Sequence, residues 1–161
     1  MNKEKKLLSW LMVIFVLLVV GLATLYIVWP QLQPHTTLRI GDGVFTTQLA
    51  KTFEQRRQGL SGTSELRPNQ GLILVYETDG QWPIWMKDMH YPLDIIWLDK
   101  DKKVVYIVTN APPDSYPDKT FVPNKDARYV VELPAGTVEK KAIKINGQAT
   151  FDETKQEGLK L

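Results

Sequence analysis

The sequence predicts a β-dominated α+β domain, a compact sheet or barrel-like fold with one or two short helices, carried behind one transmembrane helix. Three observations lead there. Leu7 to Trp29 is an uninterrupted uncharged apolar run of 23 residues. The rest of the chain breaks into many short β-rich segments with turn residues at close spacing. Only one short stretch, TFEQRRQGL, reads as a helix with its own start and stop.

In chain order, the elements follow from these cues. A helix over the apolar run covers roughly 34 Å, enough to cross a hydrocarbon core of about 30 Å. Trp10 stands near one end and Tyr26 and Trp29 near the other, where amphipathic rings favour the headgroup level. Lys3, Lys5 and Lys6 precede the run, opposed only by Glu4, and no Lys or Arg follows until Arg39. The positive-inside bias therefore holds residues 1–6 in the cytoplasm and sends the chain after Pro30 across the membrane. A cleaved signal peptide is the rival, but the run is too long and lacks an A-x-A site. A buried core helix would need a polar face, which the run lacks.

Residues 30–37 read as a linker with two prolines. Residues 38–151 form the extracytoplasmic domain, and 152–161 a flexible tail. Leu38 to Ala50 predicts two strands around a Gly41-Asp42-Gly43 turn. Thr52 is placed to cap the short helix, with Gly59 or Gly62 ending it. Leu72 to Tyr76 is an apolar strand, and Thr78-Asp79-Gly80 turns the chain into Trp82–Met86, where Pro83 points to an edge or bulge. Asp94–Leu98 and Val104–Val108 are strands around the charged turn 99–102. Residues 111–124 hold four prolines and form a long loop. Tyr129–Leu133 is a further strand. Ile143–Ile145, Asn146-Gly147 and Ala149–Phe151 give the clearest hairpin signal, with Asn146-Gly147 as a two-residue type I′ turn.

Composition narrows the function. Three of the 20 basic residues and one of the 18 acidic residues lie ahead of the apolar run, so the remainder carries no net charge. No basic block supports nucleic-acid binding. The absence of cysteine removes disulfides, thiolate metal sites and a thiol nucleophile. His90 with Asp88 and Asp94 matches no known metal spacing, and His35 sits in the linker, so neither a metal nor another cofactor is expected. Gly59-Leu60-Ser61-Gly62 lacks the spacing of a serine-hydrolase elbow.

The richest segment is Trp82–Asp94, WPIWMKDMHYPLD. Aromatic faces among a few convergent polar groups suit a small-molecule pocket, and indole faces stack on sugars, which makes carbohydrate the natural candidate. The same pattern also suits plain core packing. Asp88 and Asp94 are the candidate acid/base pair of a glycan-active hydrolase.

The chain resembles the bacterial and archaeal family called domain of unknown function 192. The pieces that carry the resemblance are Arg57-Gln58-Gly59-Leu60, Gly71–Tyr76, Trp85-Met86-Lys87-Asp88-Met89 and Pro92–Asp99, followed by Val104–Ile107, Glu132-Leu133-Pro134-Ala135-Gly136 and Gly147. Their order and spacing are specific, although no single piece is. The resemblance implies a compact, largely β domain, often secreted or lipid-anchored, with a suggested small-ligand or sugar site around the Trp-Met-Lys segment and no established activity. The chain departs from the family pattern at Ser61, commonly Met, and at Asp88, commonly Asn. Family members also often carry cysteines in the Pro-rich loop, where 111–124 has none.

The preferred reading is a single-pass membrane protein whose outward domain binds a small ligand without catalysis. Arg57, Trp85, Met86, Lys87, Asp88 and Asp94 are the expected site, with the charged ends of Arg57, Lys87 and Asp94 converging in one pocket. The rivals are the hydrolase using Asp88 and Asp94, and a partner-docking module of an envelope complex.

Overall fold

The computed structural model describes residues 3–28 and 35–154. The expectations for Trp29, for linker residues 30–34, for the Tyr26 ring and for tail residues 155–161 lie outside the described residues. The chain forms two units, the N-terminal helix and the domain that begins at Pro34.

Helix α1 runs from Lys3 to Val28. Its stretch Leu7–Thr24 is long and apolar enough to cross a membrane. Thr24 donates its hydroxyl to the carbonyls of Val20 and Gly21, at 3.0 and 2.8 Å. The one threonine of that stretch thus satisfies its hydroxyl within the helix.

The domain is a single curled seven-stranded sheet in the order β5-β4-β6-β3-β2-β1-β7. β1 (His35–Ile40) and β2 (Gly43–Ala50) form the expected hairpin, with Gly41 at φ 52 in its tight loop. β1 starts at His35, so the last three residues assigned to the linker are strand. Thr36 Oγ1 accepts from the Asp152 amide, and Glu153 accepts from Tyr129 and from Lys51. Residues 152–153, assigned to the flexible tail, are thereby tied to the sheet.

β2 pairs in parallel with β3 (Gln70–Gly80). A parallel pair needs a crossover rather than a tight turn. Residues 51–69 supply it and contain α2 (Phe53–Gln58). The expected cap is present in full: Thr52 accepts from the Gln55 amide, and the Gln55 side chain accepts from the Thr52 amide. Gly59 ends the helix at φ 52, ψ −129, a region open essentially to glycine.

β3 continues through Thr78-Asp79-Gly80, where a turn was expected, because Gly80 still pairs with Ala127 of β6 (Ala127–Pro134) beyond a register shift. Trp82–Met86 is not a strand. It keeps one bridge, Ile84 to Phe121, and the Trp82 indole donates to the Ala127 carbonyl. β4 (Leu93–Leu98) is buried throughout, between β6 and β5 (Val104–Ala111).

The Asn146-Gly147 hairpin does not form. The turn closes from the Gly147 amide to the Lys144 carbonyl, so Ile145 and Asn146 are its central pair, and Asn146 alone has positive φ, at 66. Val104 takes the backbone bonds that a hairpin partner would have taken, accepting from Asn146 and donating to Gly147. β7 (Ala149–Thr150) then pairs with β1. The Lys103–Gln148 bridge joins the two ends of the sheet at one corner, which is why the sheet curls toward a barrel.

Alternation along the strands divides the core. One face carries Leu38, Phe45, Ile73, Ile96, Val131 and Leu133, closed by Val138, Ile143 and Phe151 after β6. Helix α3 (Thr137–Lys140) belongs to that cover. The other face carries Leu72, Leu74, Ile95, Trp97 and Val130, and is covered by Leu60, Ile84, Met86 and Phe121 from the crossover and loops.

Candidate functional site

On this second face, the cover does not meet the sheet everywhere. Between α2 with the turn after it and the Trp82–Met89 segment lies a cavity of about 740 Å³. The crossover that makes β2 and β3 parallel sets α2 over it. Two bonds staple the walls together beyond the cavity: Ser61 donates its hydroxyl to the Lys87 carbonyl at 2.6 Å, and Gly62 its amide to the Asp88 carbonyl at 2.8 Å.

Leu74, Leu93 and Glu132 line the inner end. Glu132 follows Val130 by two residues on β6, so the pleat aims it at this face. Its cross-strand neighbours are Leu72 of β3 and Ile95 of β4, both apolar. The residue is 4 % exposed, and its Oε2 is buried without a hydrogen-bond partner. Burial pushes the carboxyl up from 4.5 to about 7. The ion pairs among the described residues are Lys100–Asp101 and Arg128–Asp79, so Glu132 has no salt-bridge partner there.

Aromatic rings form the side wall. Tyr76 and Trp82 stack at 4.1 Å between centroids and 5° between planes. The Arg56 guanidinium lies 5.0 Å over the Tyr76 ring and donates to the carbonyls of Val75 and Lys51. Burial first, and the Glu132 charge second, push the Tyr76 phenol up to about 12, with Arg56 pulling the other way. Tyr76 therefore keeps its proton and offers a neutral donor. Phe53 and Trp85, both lining the cavity, are exposed large apolar side chains.

The expected site residues fall in four places. Arg57 and Trp85 line the cavity. Lys87 and Asp88 line an adjoining hollow of about 170 Å³, which Arg57 and Trp85 share. Asp88 sits at φ 54, a conformation that Asn and Asp tolerate better than most residues. Met86 is a core side chain, 1 % exposed. Asp94 lines neither space. On β4 it alternates with Leu93 and Ile95, so it faces the other side of the sheet. There its Oδ1 accepts from the Asn110 amide at 2.9 Å and its Oδ2 from the Val138 amide at 2.7 Å. The convergence of Arg57, Lys87 and Asp94 in one pocket is thus not what the structure has, because the pleat turns Asp94 away and backbone donors satisfy its charge.

Glu132 and Tyr76 were not among the expected residues, and Trp82 entered only as part of the aromatic Trp82–Asp94 segment. Glu132 did carry a signal. It is a lone carboxylate inside the strand Tyr-Val-Val-Glu-Leu, two residues from Val130, and such a residue is buried wherever both faces of the sheet are covered.

Residues 36–151 match the profile of the DUF192 family, described as Uncharacterized ACR. A UPF0127 protein of Thermococcus kodakarensis is 31 % identical over 91 residues, 56 % of this chain and 55 % of that protein. The match thus spans little more than half of that relative's length. A UPF0127 protein of Thermococcus gammatolerans is 30 % identical over 111 residues, 68 % of each chain. Two crystal structures share the fold. A Sinorhizobium meliloti protein described as a candidate transcription regulator superposes with a TM-score of 0.66 at 25 % identity, covering 74 % of this chain and 93 % of that one. A protein of unknown function from Novosphingobium aromaticivorans gives 0.66 at 26 %, covering 72 % and 83 %. With most of its length in the family match, the chain belongs to the DUF192 family.

Proposed function

We propose that this protein is a membrane-anchored, extracytoplasmic binding domain whose cleft between α2 and Trp82–Met89 takes a small ligand without catalysing a reaction. The carrying observation is Glu132: a buried carboxylate oxygen with no partner, at the inner end of a cavity of about 740 Å³. An unsatisfied buried polar atom costs about 1–3 kcal/mol, more when charged. A ligand that supplies the missing donor offsets that cost, and the apolar walls exclude water around it. Stacked Tyr76 and Trp82, with Trp85 at the side, give ring faces for the apolar side of a ligand, carbohydrate included.

The two rivals have less support. A hydrolase using Asp88 and Asp94 would need the two carboxylates around one bond, whereas Asp94 is turned to the opposite face with both oxygens occupied. A docking module is favoured by a flat apolar patch, and the open face here is concave. The balanced charge of the chain after the apolar run gives no electrostatic footprint for nucleic acid. Anchoring rests on α1, and orientation on the lysines before it.

Thermal unfolding of the full chain in detergent micelles tests the binding reading. Monosaccharides, amines and amino acids are added singly at millimolar concentration. Binding at about 100 times the dissociation constant adds ~2.7 kcal/mol and raises the melting temperature. At least one class should do so, and Trp85→Ala, an exposed change that spares the core, should abolish it. No shift with any class would sink the proposal.

A further inference from the structure

We infer that the ligand of this cleft is a dipolar amine of amino-acid size, with its ammonium on Glu132 and its anionic end on Arg57 at the mouth. The inference rests on the binding reading above and adds its chemistry. The deepest charged group is the Glu132 carboxylate, and cations stand toward the outer side, where the exposed Glu77 also lines the cavity. At the inner end, Glu132 holds an acceptor oxygen with no donor and no cation. Arg56, which also lines the cavity, is committed to the Val75 and Lys51 carbonyls and the Tyr76 ring. At the outer side, the Arg57 guanidinium has no hydrogen bond or ion pair among the described residues, and the exposed ammonium of Lys87 adjoins it across the second hollow.

The spacing suits a small molecule. A Cβ placed on Gly59 would come within 3.9 Å of Glu132 Oε2. Arg57 is two residues earlier, so its Cα lies within about 7 Å of that of Gly59. The end of α2 that carries Arg57 therefore lies within the length of a small molecule from the Glu132 carboxylate. A polyamine would meet Arg56 and Arg57 with like charge. A simple carboxylate would leave Glu132 unpaired and add a second negative charge beside it. A neutral sugar would supply a donor but no counter-charge. A dipolar ligand answers both ends, and the rings of Tyr76 and Trp82 attract an ammonium through their faces.

The groups facing Glu132 that titrate or carry charge are Arg56 and Arg57 from α2, Tyr76 and Glu77 from β3, and Tyr91 before β4. Tyr91 is itself pushed up, by burial first and in part by Glu132, against a hydrogen bond from Thr63. Tyr76 and Tyr91 keep their protons in the neutral range, so the change of charge there belongs to Glu132. Amine binding should weaken by up to about tenfold per unit as pH falls below 7.

Titration calorimetry on the full chain in micelles tests this with the common L-amino acids. Each binder is compared with its amide, which lacks the carboxylate, and its N-acetyl form, which lacks the ammonium. A neutral methyl glucoside is included. The expected result is that at least one amino acid binds, and that its amide and N-acetyl forms each bind at least tenfold more weakly. Glu132→Gln should weaken the amino acid and its amide alike but spare the N-acetyl form. Arg57→Gln should weaken the amino acid and the N-acetyl form but spare the amide. If Glu132→Gln does not fold, the unmodified protein with the three probe forms still decides. N-acetyl forms binding as well as the free amino acids would overturn the inference. Glucoside binding with no amino acid bound would overturn it and leave the binding reading standing. No binding by any probe would remove both.

Discussion

Burial favours the protonated form of Glu132, so ionising it costs the fold stability. Below about pH 4.5 the carboxyl is neutral in both the folded and unfolded chain. Between 4.5 and about 7 the folded form keeps a proton that the unfolded form has released, so stability declines across that window as pH rises. Above 7 the deficit is full, roughly 3 kcal/mol. Glu132→Gln should therefore raise the melting temperature of the ligand-free protein at pH 8, leave it nearly unchanged at pH 4, and flatten the profile between. A profile as steep as that of the unsubstituted protein would show that another group sets it. Asp94, on the far face, has both of its oxygens in use. Its two oxygens hold the amides of Asn110 and Val138. Asn at 94 keeps one acceptor and turns an N–H toward the other amide, so Asp94→Asn should lower the urea midpoint by about 1–3 kcal/mol of stability and leave ligand affinity unchanged.

At the scale of the element, α2 is six residues long, too short to hold itself together, and depends on its ends. Thr52→Ala removes one half of the capping box and should cost about 1 kcal/mol in denaturant unfolding. Because α2 carries Arg56 and Arg57, hydrogen exchange over 53–58 should rise more than over the sheet. The turn before β7 is governed by packing of another kind. A side chain at Gly147 would come within 2.8 Å of the Lys144 carbonyl oxygen. Gly147→Val should therefore destabilise the domain, measured as a lower melting temperature, through that contact and not through positive φ, which belongs to Asn146.

For the whole molecule, the sheet and the apolar helix are separate units. The sheet buries both of its faces, one under residues 138–151 and one under the crossover and loops. The helix exposes its apolar side chains from Leu7 through Leu22. If α1 is the anchor, Val16→Arg places a charge at mid-membrane, at about 2.5–3.5 kcal/mol on insertion scales, and should shift protein from the membrane to the soluble fraction. Protease added outside intact cells should then digest the domain of the unsubstituted protein while residues ahead of Leu7 stay protected. Digestion from the cytoplasmic side instead would reverse the orientation.

What the sequence determined by itself is what short-range forces decide. The apolar run needs no partner to read as a helix. The Gly41-Asp42 loop needs residues that tolerate a tight turn, and the Thr52–Gln55 cap is a matter of four residues. The strands read at 94–98 and 104–108 announce themselves by β-branched content, and the structure extends them to 93–98 and 104–111. Tertiary structure decided the rest, through partners far away in the chain. Asn146-Gly147 lost its hairpin because Val104, more than forty positions earlier, took its backbone bonds. The turn expected at 78–80 gave way to pairing of Gly80 with Ala127. Asp94 went to the far face because the pleat of a strand buried on both sides gives a charge no choice but the nearest donors, and those lie at 110 and 138. Glu132 became the centre of the cleft for the converse reason. Its cross-strand neighbours, Leu72 and Ile95, are both apolar, and that is a property of the packed sheet and not of the five residues around it.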